Sequence, residues 1–160
     1  MKCYIAHLKS GGMKIIGTPN YIGEHVHFDG TDYGMSTLND NVTISKEVMF
    51  LTHHASLHTA IKNLQLINNY FYDRPQGPIV KKGNIIVGKN SFIGARASLL
   101  PDTNIGENVI IGACAVVKGI IPDNSVVIGN PGKIICKTSD LFDRYIKDSN
   151  SQMVKTFTDI

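Results

Sequence analysis

The chain has 160 residues, 42% hydrophobic and 18% charged, a composition that suits a single globular domain and excludes a disordered or low-complexity segment. The net charge of +3 carries no basic run beyond the pair Lys81–Lys82, so no footprint for nucleic acid is present. Three cysteines, Cys3, Cys114 and Cys136, form an odd set without metal-ligand spacing and fit reduced thiols in a cytoplasmic protein.

The N-terminal stretch MKCYIAHLKSGG has no apolar run suited to a signal peptide, and no later segment is long and apolar enough to enter a bilayer. From Ile16 the chain falls into blocks of six: IGTPNY, IGEHVH and FDGTDY begin at Ile16, Ile22 and Phe28. After a short break, LNDNVT, ISKEVM and FLTHHA begin at Leu38, Ile44 and Phe50. The last block carries His53 and His54, with His58 close behind. Residues 55–80 interrupt the pattern, and Tyr70, Phe71 and Tyr72 lie within them. The period then returns in full from 87 to 122, with Val87, Ile93, Leu99, Ile105, Ile111 and Val117 at the first position. Ser91, Ala97, Thr103, Val109, Ala115 and Ile121 occupy the fifth. From Ser139, SDLFDRYIKD predicts a short helix capped by Ser139 or Asp140, with Leu141, Phe142, Tyr145 and Ile146 on its apolar side, covering the end of the preceding structure.

A period of six matches neither the 3.6 of a helix nor the 2 of a simple amphipathic strand. It fits a short strand followed by a tight corner, with the aliphatic side chain inside and the small residue where the backbone turns. Gly88, Asn90, Gly106 and Asn108 suit such corners because they accept turn and left-handed conformations at little cost. Stacked coils then pair as parallel strands and share one apolar interior, giving an all-β solenoid.

These blocks closely resemble the hexapeptide-repeat acyltransferases, in particular the galactoside and maltose O-acetyltransferases and relatives that acetylate bacterial polysaccharides. The likeness covers roughly residues 15 to 135. It is strongest from VGKNSFIGARASLLPDTNIGENVIIGACAVV to IPDNSVVIGNPGKII, where GNPGK resembles the family's end-of-helix signature. The resemblance implies a left-handed parallel β-helix in a single acyltransferase domain over 1–160. Its coils would span about 15–54 and 81–135, with an extruded loop at 55–80 and a helical tail at 136–160. It also implies a homotrimer, acetyl-CoA as co-substrate, no metal, and active sites between subunits. In relatives the extruded loop reaches over a neighbour's site, which makes Tyr70, Phe71 and Tyr72 a lid or sugar-stacking cluster, or else a pin for the loop.

In that family a histidine just after the coil preceding the loop acts as general base on the acceptor hydroxyl, a task for which imidazole is suited. Here THHA offers two. One residue of slippage from the gapless register makes His54 the base, with His53 as the alternative. Matching residue by residue, Ala95 and Ala113 would hold the pantetheine arm by their backbone, Lys118 and Lys133 would meet the nucleotide, and Asp32 and His25 would bind a carbohydrate acceptor. Two other readings stay open. One is a zinc-dependent carbonic anhydrase on the same helix, using His53, His58 and His25 or His27. The other is a catalytically silent repeat protein.

Overall fold

The computed structural model describes residues 2–29, 33–63 and 80–148. Helix α1 (Lys2–Ser10) comes first, and its buried Leu8 and half-buried Ile5 pack on the coil that follows. Nothing in the period of six announced it. One buried face over nine residues gives little periodic signal, and two glycines end it at once.

The first coil is made by β1 (Lys14–Ile15), β2 (Tyr21–Ile22) and β3 (His27–Phe28). A 3₁₀ turn at Tyr33–Met35 leads into the second, β4 (Ser36–Leu38), β5 (Thr43–Ile44) and β6 (Met49–Phe50). The chain then leaves the coil through β7 (His53–His54) and α2 (Ser56–Asn63) and returns through β8 (Lys81–Lys82). The third and fourth coils run through β9 (Ile85–Val87), β10 (Phe92–Ile93), β11 (Ser98–Ile105), β12 (Ile110–Ile111) and β13 (Val116–Ile121). The fifth starts with β14 (Ser125–Ile128), onto which β15 (Lys133–Lys137) folds back antiparallel before α3 (Thr138–Asp148).

Every other coil-to-coil pairing is parallel, and the rungs stack into three faces. The first face joins β1, β4, β9 and the second halves of β11 and β13. The second joins β2, β5, β10, β12 and β14. The third joins β3, β6 and the first halves of β11 and β13. The whole is the left-handed parallel β-helix that the family resemblance implied. Its interior is the predicted column of aliphatic side chains: Val87, Ile93, Leu99, Ile105, Ile111 and Val117 are all buried, as are the small residues Ser91, Ala97, Thr103, Val109 and Ala115.

The register departs from expectation at both ends. Ile15, not Ile16, aligns with Leu38, and Ile16 is 58% exposed, because the first corner of the first coil holds one residue more than a strict hexad. Ile121 aligns with Ile105 as an inward residue of the next rung, since the turn after Val117 is two residues shorter than the one after Leu99. At the C-terminus Lys137 precedes the helix, and Asp140 reaches back to accept its backbone N–H (3.2 Å), so neither Ser139 nor Asp140 is the cap. Phe142, Tyr145 and Ile146 are exposed rather than laid over the coil. The strand β15, not the helix face, closes the stack at this end. The inserted segment is described only through Asn63 and from Val80; Tyr70, Phe71 and Tyr72 lie outside the described residues.

Corner chemistry divides the work between residue types. Asn41, Asn90, Asn108 and Asn124 occupy equivalent left-handed positions, with φ from 55° to 58°, and their side-chain amides donate down the stack at 3.0, 3.1 and 3.2 Å. Gly88 is needed for a different reason: a Cβ there would meet the carbonyl of Gly106 in the next coil, which is backbone and cannot swing aside. Gly88→Ala is expected to lower unfolding stability by about 1–3 kcal/mol, as overpacking does. Urea denaturation checks this, and an unchanged midpoint would mean that the coils separate at that corner without cost.

Candidate functional site

The turn between the third face and the next coil gathers titratable side chains from four successive coils. In the first coil it carries Asp29, whose N–H continues the ladder to the carbonyl of Phe50 (3.0 Å). In the second it carries Leu51, the buried Thr52, and His53–His54. The third contributes Leu100, Pro101 and Asp102, and the fourth contributes Lys118 alone. Because β3 and β6 pair with Phe28 beside Phe50, Asp29 arrives next to the stretch that follows Phe50.

One carboxylate oxygen of Asp29 is surrounded by donors. It accepts the backbone N–H groups of Thr52 (3.1 Å) and His53 (3.2 Å), and it lies 2.7 Å from Nδ1 of His53. The Asp29 side chain is only 15% exposed against 43% for the imidazole, so the carboxylate forms the fixed, inner member of the pair. A carboxylate can only accept, hence the proton of neutral His53 sits on Nδ1 and Nε2 carries the free lone pair. His54 is held differently: its Nδ1 is 2.8 Å from the Ser56 hydroxyl, which can donate or accept and so fixes no tautomer.

Strands β7 and β8 form an antiparallel ribbon at the root of the inserted segment, closed further by the Gly83 N–H to the Thr52 carbonyl (2.9 Å). His53 stands opposite Lys82, and His54 opposite Lys81. Lys81 is joined to Asp102 at 3.0 Å. Beside the ribbon lies a cleft of about 260 Å³ lined by Leu51, His53, His54, Ser56, Leu100, Pro101 and Lys118.

Of the residues singled out from sequence, the structure brings three together in this cleft: His53, His54 and Lys118. Ala95 and Ala113 stack one above the other at the corner between the second and third faces, where the Cys114 N–H donates to the Ala95 carbonyl (2.9 Å). Lys133 begins β15, past the turn in which the Gly132 N–H donates to the Val116 carbonyl (2.8 Å). His25 lies at the Ala95 type of corner in the first coil, with φ 55°, and lines a separate open groove of about 780 Å³ with Tyr4, Tyr21 and Glu24. Asp32 lies outside the described residues. Among the described residues no three His, Cys, Asp or Glu side chains converge on a point that could hold one metal ion. No described helix is long and apolar enough to cross a membrane.

Sequence reasoning passed over Asp29 and Lys82. A signal for Asp29 was present, since stacking the block FDGTDY on FLTHHA puts Asp29 beside Leu51, one step from Thr52 and two from His53.

Comparison with known proteins agrees with the repeat. The family model described as bacterial transferase hexapeptide (six repeats) matches residues 84–119. The Escherichia coli (strain K12) protein named "Putative lipopolysaccharide biosynthesis O-acetyl transferase WbbJ" is 31% identical over 111 residues, covering 66% of this chain and 55% of that protein. A Staphylococcus aureus (strain Mu50) protein named "Putative acetyltransferase" is 34% identical over 134 residues, covering 75% of this chain and 64% of its own length. The chain thus spans less than two thirds of either relative. In fold it is similar to a maltose O-acetyltransferase from Clostridium difficile 630, with a TM-score of 0.60 and 23% identity, covering 83% of this chain and 73% of that one. Residues 84–119 thus carry the repeat of the bacterial transferase hexapeptide family, and the coil that this repeat builds runs on through the coils on either side of them.

Proposed function

We propose that the protein is an acetyltransferase that moves an acetyl group from acetyl-CoA to a hydroxyl of a carbohydrate acceptor, with His53 as general base. The relatives' names support the reaction class, and the 2.7 Å contact between Asp29 and His53 carries the assignment of the base. Asp29 holds the proton on Nδ1, so Nε2 of His53 is the atom able to take the acceptor's proton. His54, the residue favoured by one step of slippage from the gapless register, lacks a partner that would fix its tautomer in this way.

The step balances without an acyl-enzyme. The acceptor oxygen attacks the thioester carbonyl as its proton passes to Nε2. The tetrahedral intermediate then expels the CoA sulfur, which takes that proton from the imidazolium. Asp29 stabilises the imidazolium formed in between, as a buried carboxylate does for a catalytic histidine elsewhere. Gathering both substrates in one cleft supplies much of the remaining acceleration.

For the donor, the small side chains of Ala95 and Ala113 leave a low corner along which an extended pantetheine arm fits, and Lys133 offers a cation for its phosphates. These residues lie one face away from His53 in the same chain, so we assign the donor site to the junction between subunits of a homotrimer. Sedimentation velocity is expected to give three times the 17.5 kDa chain mass. Titration with acetyl-CoA should show one site per chain, with affinity falling about tenfold or less in Lys133→Ala, the worth of one exposed charged contact. A monomer that binds acetyl-CoA at full affinity would contradict the shared site.

A further inference from the structure

The carboxylates around His53 are already engaged, whereas two of the three lysines are not. Asp29 is occupied by His53 and two backbone amides, and Asp102 by Lys81. Among the described residues, Lys82 and Lys118 have no acidic partner. Both are exposed and both stand at the histidines: Lys118 lines the cleft with them, and Lys82 is the cross-strand neighbour of His53. Directly opposite residues of an antiparallel pair project from the same face, with Cβ atoms about 5 Å apart. Lys118 reaches the cleft because its turn consists of one residue before Gly119 (φ 84°), where the coil above spends three, Leu100 to Asp102.

Two unneutralised ammonium groups beside the reacting histidine set a positive field over a small cleft. The phosphates of acetyl-CoA do not answer to it. They sit a full pantetheine arm away from the thioester, and the thioester is the part that must meet His53. The acceptor is the remaining source of negative charge. We infer that Lys82 and Lys118 form an anion subsite, and that the acceptor carries a carboxylate or phosphate close to the hydroxyl that is acylated, as an acidic sugar or sugar phosphate does. This inference rests on the acetyltransferase reading for the reaction, although not for the binding of the anion.

The test measures binding and turnover separately on matched acceptors. Methyl glucuronide and methyl glucoside share their ring hydroxyls and differ in charge; glucose 6-phosphate and glucose form the second pair. Binding is followed through the imidazole resonances of His53 and His54 in the 160-residue chain. Each anionic member is expected to bind about tenfold more tightly than its neutral partner, the worth of a charge-assisted contact, and the preference should shrink with added salt. The stronger of the two preferences distinguishes carboxylate from phosphate. Lys118→Gln combined with Lys82→Gln should abolish the preference, whereas Lys118→Arg should retain it. Equal binding of charged and neutral members, or a preference that survives the double substitution, would overturn the subsite. Charge-selective binding without acetyl transfer to any member would leave the subsite standing and count against the reaction. Transfer to both members of each pair at equal kcat/KM, with equal affinity, would keep the reaction and reject the subsite.

Discussion

His53→Ala is expected to lower turnover by roughly two to four orders of magnitude, the usual worth of general-base catalysis. Acetyl-CoA binding should survive, since the imidazole serves the acceptor hydroxyl and not the nucleotide. His54→Ala removes a side chain whose hydrogen bond goes to Ser56, and its loss should be smaller by at least about tenfold. Asp29→Asn provides an internal control. It keeps an acceptor oxygen for the Thr52 and His53 amides but removes the charge that stabilises the imidazolium, so kcat should fall with little change in the donor's KM. Steady-state assays on the three variants separate the roles. A dead His54→Ala beside an active His53→Ala would transfer the base to His54, and the Asp29 contact would then be structural only.

The second large effect concerns the scaffold that holds this histidine. Phe50 is fully buried at the inner end of β6, with its ring centroid 4.7 Å from that of Phe28 in the coil above. Phe50→Ala removes the largest fully buried side chain at the rung from which Leu51, Thr52 and His53 depart. Truncations of this kind cost about 3–5 kcal/mol, from lost burial plus the cavity left behind. In a solenoid each coil rests on its neighbours only, so the loss should be felt on both sides of the rung. Urea denaturation should show a lower midpoint. A loss under about 1 kcal/mol would mean that the first two coils repack independently of this ring.

How far the sequence could be read follows from which constraints repeat. The inward column from Leu38 to Val117 was legible because every coil asks for the same thing at the same place: an aliphatic chain inside and a small residue before the turn. The ends were not. Ile15 and Ile121 depend on how many residues each terminal corner takes, and a corner's length is set by the coil stacked against it. The helix α1 depends on a single buried face at Leu8 and Ile5. At the site, the choice between His53 and His54 could not be made from THHA itself, because both residues sit in the block where the repeat breaks down. What separates them is Asp29, 24 residues earlier, brought into reach by the pairing of β3 with β6. The lysine pair was likewise hidden: Lys82 meets His53 only through the ribbon across the inserted segment, and Lys118 enters the cleft only because its turn is short.

The most direct measurement is the fate of the acetyl group. The 160-residue chain would be incubated with acetyl-CoA labelled in the acetyl carbon and a panel of carbohydrate acceptors, acidic sugars included. Free thiol and labelled acceptor would be quantified together. Direct transfer assisted by His53 predicts one thiol released for each acetyl ester formed, no label on the protein, and loss of both products in His53→Ala. Label retained covalently on the chain, or thiol release that persists unchanged in His53→Ala, would contradict it.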